Sequence, residues 1–256
     1  MYTLSTVGTQ RRNYLLMNKR VPESIRQAIE LAVDKESLAL YLNGLCSPAE
    51  GAFDSGLVYG KAQPVKGGDI AAAQAVLEAD GYTKGADGMY QKDGTPINVQ
   101  LSTYAKRSCD QIMVLVNEQL KAAGIGSTIN KVEEPDGTYM STKDFDVASY
   151  VSITDKTGEP FTFMRQFILQ GAYCDVMGYG TPETTADLEK LQFMPTDSAE
   201  FEELSNKIMQ DFYDAHVFEC LLKYNKNSVL RAGATGLNEM NPLQYYGVDK
   251  DTDLAF

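Results

Sequence analysis

Tryptophan is absent from this chain, histidine occurs once, and no apolar run approaches the roughly 20 residues that a bilayer-spanning helix needs. With His216 alone, neither a Ser-His-Asp nor a Cys-His catalytic set has room to vary. The G-x-S-x-G elbow, the P-loop, H-E-x-x-H and G-x-G-x-x-G are all missing, and no enzyme is expected. Carboxylate-only hydrolysis stays open, because 35 acidic residues supply pairs by chance and none can be assigned to one pocket. Cys46, Cys109, Cys174 and Cys220 form no C-x-x-C pair and are too few for a disulfide scaffold. Cys109 and Cys220 fall where a helix and a strand face inward, which reads as structural thiols; one disulfide in an exported chain is the other reading. Basic charge is scarce: 23 Lys and Arg against 35 Asp and Glu leave a net charge of −12, and the longest basic run is Arg11-Arg12. Nucleic acid and anionic membrane surfaces are therefore poor partners. No charged stretch followed by an apolar one opens the chain, so it is either cytoplasmic or separated from its export signal.

What is present is an ordinary globular composition, 43% hydrophobic over 256 residues, enough for one sizeable core or two small ones. Residues 7–18 read as an extended incoming strand with Tyr14, Leu15, Leu16 and Met17 at its apolar end. Ile25, Ala28, Ile29, Ala32 and Val33 then form one helical stripe behind Pro22, and Asp34 caps a second helix that Asn43-Gly44 ends. Residues 45–68 read as a long loop, and Asp69 caps a helix over 70–80 that Gly81 stops. Two Asp-Gly turns flank a short strand at 89–92. Ile97, Val99 and Leu101 alternate with polar residues as a half-buried strand, Cys109 to Leu120 make a helix, and 125–132 a second strand. Strand, helix and strand in that order predict a parallel, right-handed unit. A third strand at 145–150 opens into a polar loop over 151–160. Helices follow at 161–169, 184–193 and 198–215, then late strands at 217–224 and 228–232, with an irregular tail from Asn238. The alternation predicts an α/β domain.

The run Arg26-Gln27-Ala28-Ile29, continuing to Ala32-Val33-Asp34-Lys35, resembles the second-lobe signature of family 5 solute-binding proteins. Ala79-Asp80-Gly81-Tyr82, Lys92-Asp93-Gly94, Leu101-Ser102-Thr103-Tyr104-Ala105-Lys106-Arg107, Gln119-Leu120-Lys121 and Phe145-Asp146-Val147 with Gly158-Glu159-Pro160 follow in the order and spacing of that family, over about residues 7–246. The wording is closest to its nickel and peptide subgroups. The resemblance implies a periplasmic-binding-protein-like lobe, α/β with a mixed, mostly parallel sheet flanked by helices. It implies that 1–256 is a single C-terminal lobe with Met1 as an added start. Residues 1–18 would arrive from a first lobe and 233–256 return toward it. It also implies a receptor of an ABC importer that closes on an oligopeptide or small metal chelate without a cofactor. The expected location is extracytoplasmic, periplasmic or on a cell-surface lipoprotein whose anchor this chain does not carry. Partners would be the solute, the permease subunits and the first lobe. A nickel-specific receptor is the alternative, and a non-transport protein-interaction domain the alternative of another class.

In an open α/β sheet, ligands collect beyond the carboxyl ends of the strands. That rule selects Tyr104 and Arg107 after the second strand and Tyr150, Ser152, Thr154 and Asp155 after the third. Arg165 and Tyr173 join them around the segment before Tyr179-Gly180-Thr181-Pro182-Glu183. Each has a plainer reading, as a packing tyrosine, a solvated charge or a polar turn. Nickel-type relatives place an aromatic side chain after the Phe-Asp-Val strand where this chain has Ile153. They carry a histidine near 173–179 where it has none, so direct nickel coordination by this lobe is not expected. His216, at a helix end, reads as structural.

Overall fold

The computed structural model describes residues 2–235 and 253–254. The elements run β1 (Tyr2–Met17), α1 (Glu23–Ala32), α2 (Lys35–Tyr41), β2 (Cys46–Pro48), α3 (Ile70–Ala79), β3 (Thr83–Lys84), β4 (Tyr90–Lys92), β5 (Thr95–Pro96), β6 (Asn98–Tyr104), α4 (Cys109–Ala122) and β7 (Gly126–Val132). A single helical turn at Asp136–Met140 leads to β8 (Val147–Ile153), α5 (Phe161–Phe167), α6 (Pro182–Gln192), α7 (Ala199–Asp214), β9 (Phe218–Arg231), β10 (Ala234–Thr235) and β11 (Asp253–Leu254).

Local chemistry sets most boundaries. Asp34 accepts from the backbone N–H groups of Glu36 and Ser37, Asp69 from that of Ala72, and Thr181 and Thr184 cap α6 reciprocally. Asp93 (φ 52°) and Gly94 (φ 76°) make the tight turn that folds β5 back on β4. The loop between β2 and α3 lies against the body rather than projecting from it. Asn206 and Gln210, one turn apart on α7, bond the backbone at Val58, Lys61 and Gln63. A Cβ on Gly67 would lie 2.0 Å from the Val33 carbonyl oxygen, so only glycine lets this loop pass the end of α1.

A six-stranded sheet in the order β2-β9-β1-β8-β6-β7 divides two cores. Tyr14 and Leu16 point to one face and Leu15 and Met17 to the other, all fully buried, which is why four apolar residues stand consecutively in β1. The first face packs on α5, α6 and α7 through Phe163, Phe167, Leu188, Ile208 and Phe212. The second packs on α1 to α4 through Ile29, Leu38, Leu77, Met113 and Val116.

Three expectations need correction. The sheet is mixed, yet parallel pairing is confined to β6 with β7 and β8; β1 with β8, β1 with β9, and β2 with β9 are antiparallel. The cause is β1, which is inserted between β8 and β9 and runs against both, so these neighbours pair with it antiparallel instead of with each other. β6 is not half-buried: Ser102 and Thr103 are both inaccessible, because neighbours cover each face beyond Val99. The two late strands are one, β9, since polar Asn225 and Asn227 sit on an exposed stretch that still pairs with β1. Of the two readings of the cysteines, structural thiols is the one the structure bears out: all four are buried and free. Of the expected tail at 233–256, residues 236–252 and 255–256 lie outside the described residues.

Candidate ligand cleft

Strands β6, β7 and β8 end on the same edge of the sheet, and a cleft of about 170 Å³ opens there, lined by Tyr104, Lys106, Arg107, Glu134, Pro135, Asp136, Tyr150 and Val151. β1 runs antiparallel to β8 with Arg11 opposite Ile153, so residues 2–10 project past the same edge. There they pair with β9, Tyr2 opposite Arg231 and Leu4 opposite Val229. The cleft thus lies at the foot of a two-stranded ribbon.

Each wall follows from local structure. Tyr104 closes β6, and burial, with the Cys109 thiol next in effect, raises its phenol. Arg107 and Ser108 both sit at φ 58°, a left-handed pair of non-glycine residues at the step from β6 to α4. Such residues cost on the order of 1 kcal/mol or more each, and here Tyr224 Oη donates to the Arg107 carbonyl at 2.6 Å and holds the step in place. The opposite wall is the turn after β7. Glu134 caps it by accepting from the Asp136 and Gly137 N–H groups, and Asp136 Oδ1 accepts from Tyr150 Oη and Tyr173 Oη, each at 3.0 Å. Partial burial, then the Asp136 bond, pushes the Tyr173 phenol up to about 12; burial and then Asp136 raise Tyr150.

The structure therefore brings Tyr104, Arg107 and Tyr150 to one cleft and ties Tyr173 to its rim through Asp136. The other sequence candidates are bonded inward. Ser152 shares a hydrogen bond of 2.5 Å with Tyr14 Oη. Thr154 donates through N and Oγ1 to the Gln10 carbonyl, at 3.0 and 3.3 Å. Asp155 accepts from Tyr59 Oη and the Gly158 N–H, at 2.9 and 2.8 Å, and is 7% exposed. Arg165 is exposed on α5 and does not line the cleft. Sequence reasoning missed Lys106, Glu134 and Asp136. The rule used for the other strands applies to β7 too, and the acidic turn Glu133-Glu134-Pro135-Asp136-Gly137 directly after Val132 was its signal. His216 lies at the other end of the sheet, its Nδ1 2.6 Å from Glu30 Oε2, and burial lowers its pKa.

A larger cavity of about 430 Å³ lies at the amino end of β6, among Arg20, Ile25, Tyr82, Ile97 and Asp146. Its Arg20 is already engaged by Asp144 and Asp146, at 2.8 Å each, and Asp146 also takes the Gln100 N–H. In the smaller cleft, by contrast, Lys106 and Arg107 are exposed and have no ion-pair partner among the described residues.

The family model described as bacterial extracellular solute-binding proteins, family 5 Middle, matches residues 3–173. The nickel-binding protein NikA of Staphylococcus aureus is 27% identical over 161 residues, 60% of this chain and 31% of that protein. Among solved structures, a nickel ABC transporter protein of Bacillus halodurans matches 99% of this chain and 54% of its own with a TM-score of 0.83 at 20% identity. The oligopeptide-binding protein AppA of Bacillus subtilis, solved with a nonapeptide, matches 100% of this chain and 53% of its own with a TM-score of 0.78 at 19% identity. The chain spans about half the length of these solved relatives.

Proposed function

Because the chain belongs to the bacterial extracellular solute-binding proteins of family 5, we propose that it is one lobe of a two-lobed receptor that captures a small solute outside the membrane and presents it to the permease of an ABC importer. The observation that carries the reading is the position of the cleft, at the carboxyl ends of β6 to β8 and at the foot of the ribbon. A second lobe joined through that ribbon would close over this edge. The mechanism is capture without chemistry, and residues 1–18 and 233–256 are the segments that would connect the lobes. Among the described residues no helix is long and apolar enough to cross a membrane, which fits a receptor that works outside it.

An oligopeptide is the preferred solute. Tyrosines, an aspartate and two cations suit the termini and backbone of a peptide, and no histidine of this lobe reaches the cleft. A nickel chelate is the second reading, supported by the names of the Staphylococcus and Bacillus halodurans relatives. The test is thermal shift and calorimetry on the full-length receptor with peptide pools and with nickel, with and without histidine. Binding raises the melting temperature in proportion to occupancy. Stabilisation by peptides is expected; a response to the metal mixtures alone would assign nickel, and silence toward both would overturn the transport reading.

A further inference from the structure

From Ser37 to Ala49, through α2 and the turn into β2, the chain carries no charged side chain, in a molecule that is 23% charged. Burial would explain such a run, yet Leu40, Tyr41 and Leu45 are 82%, 59% and 52% exposed. Surface that is both apolar and free of charge marks a contact that another body completes. The three side chains belong to one turn, because the Asn43 N–H donates to the Leu40 carbonyl and the Leu45 N–H to the Leu42 carbonyl, at 3.1 Å each. That turn is fixed to the foot of the ribbon. The Asn225 N–H donates to the Leu45 carbonyl at 2.9 Å, and the side-chain amides of Asn225 and Asn227 both donate to the Gly44 carbonyl, at 3.1 and 3.3 Å. Asn227 also accepts from Thr6 on the other strand at 2.8 Å. Asn225, Asn227 and Val229 alternate onto one ribbon face, opposite Gly8, Thr6 and Leu4, so an uncharged face runs from the turn to the bare Leu4–Val229 pair. In the sheet, β2 adjoins β9 on one side of the ribbon, whereas β8, β6 and β7, whose ends hold the cleft, lie on the other. The apolar turn and the cleft therefore flank the ribbon from opposite sides.

Resting on the receptor reading above, we infer that the turn bearing Leu40, Tyr41 and Leu45 is a backstop for the first lobe in the open receptor, a contact made behind the ribbon and broken when the lobes close on solute. The first lobe is the occupant because the ribbon that would carry it rises directly from this turn, and a tethered surface meets its neighbour at an effective concentration that a free partner does not reach. A body that swings about the ribbon toward the cleft swings away from the opposite flank, so the contact belongs to the open state alone. An interaction made only in the open state lowers the closed fraction of the empty receptor, and apparent affinity falls by the same factor. Leu40, Tyr41 and Leu45 thus set how tightly the receptor holds a solute that they never touch.

The experiment uses the full-length receptor and the burial of all four cysteines of this lobe, which leaves an introduced surface cysteine to report its own accessibility to a maleimide, with the wild type as blank. Without solute, Tyr41→Cys and Leu45→Cys are expected to react at least about tenfold more slowly than Phe193→Cys, since the observed rate scales with the uncovered fraction. Phe193, at the end of α6 in the other helical layer, is 82% exposed. A tripeptide pool or nickel with histidine, whichever raises the melting temperature, should speed labelling at 41 and 45 several-fold and leave 193 unchanged. Leu45→Ser should bind that same probe several-fold more tightly than wild type, and Tyr41→Ser serves if the first variant does not fold. Labelling at 41 and 45 as fast as at 193 would overturn the backstop and leave the receptor reading intact. So would labelling that stays slow with the probe bound, a serine variant with wild-type affinity, or protection that rises with receptor concentration, which would assign a second copy instead. If neither probe raises the melting temperature, the receptor reading falls and the backstop with it.

Discussion

Arg12 is among the largest side chains fully buried in the molecule, 1% exposed, and it stands where the ribbon leaves the sheet. Two extra residues in β1 between Gly8 and Arg12 break the register with β9, and Arg12 stabilises the bulge by donating to the Thr9 carbonyl at 2.6 Å and to Asp54 Oδ1 at 2.7 Å. Lys223, its partner across the strands, reaches the same carboxylate at 2.7 Å. Burial pushes the Asp54 carboxyl up, but Lys223 and Arg12 together outweigh it and hold the group below its ordinary range. A depressed folded pKa means stabilisation that is complete above the unfolded value of about 3.9 and lost as pH falls through the folded one. Asp54→Ala is therefore expected to cost about 1–3 kcal/mol at pH 7, since it takes the half-exposed acid away from a buried guanidinium. The gap to wild type should close on acidification. Urea melts across that range decide it; an undiminished gap in acid would refute the assignment. Sequence reading saw Arg11-Arg12 only as the longest basic run. Nothing local says that one of the pair is buried, because its acid lies 42 residues away.

Among the elements, α1 shows how an apolar stripe can hide a polar one. Ile25, Ala28, Ile29 and Ala32 are buried as the spacing requires, and so are Arg26 and Glu30. Arg26 donates to the carbonyls of Val21, Ala215 and His216, closing the end of α7, while Glu30 meets His216. Glu219 on β9 pairs with Lys35 of α2 in the same buried space. Burial and then the Glu219 carboxylate raise the Glu30 pKa, against the opposing pull of Lys35 and Arg26. A raised carboxyl contributes stability that is fully present below the unfolded value of about 4.3 and lost as pH rises through the folded one. Glu30→Gln should match wild type near that lower limit and equal or exceed it under alkaline conditions. Chemical denaturation of both proteins over the range would show a variant losing ground on the alkaline side if the assignment is wrong. The 3.6-residue period was legible for this helix because core packing selects it. The network was not, since its members come from α1, α2 and β9 and only the sheet brings them together.

At the scale of the whole molecule, the sheet is covered on both faces while the ribbon is bare. Tyr2, Leu4 and Val229 are 71%, 69% and 69% exposed. Leu4 and Val229 are cross-strand partners, so they stand on one face with Tyr2. A two-stranded ribbon without a packed face is marginal in water. Hydrogen exchange on this chain alone should therefore exhaust the amides of residues 2–8 and 225–231 well before those of β6 and β8. In the full-length receptor the ribbon amides should slow; equal rates in the two proteins would remove the ribbon as the connection between lobes.

The sequence by itself determined the helices, their caps and the strand-helix-strand unit of β6, α4 and β7, because capping, turn chemistry and apolar period act within a few residues of chain. It also carried the family, as ordered matches along most of its length. Only the tertiary structure decided the direction of β1 among its neighbours, the continuity of β9 and the burial of both faces of β6. Only it, too, separated Tyr104, Arg107 and Tyr150 from Ser152, Thr154 and Asp155. Those outcomes depend on which distant residues supply hydrogen-bond partners: Gln10 and Tyr59 draw Thr154 and Asp155 inward, and Asp136 takes the hydroxyl of Tyr150 at the cleft. Partner choice across 14 to 144 residues of separation is a property of the folded chain, and no local pattern records it.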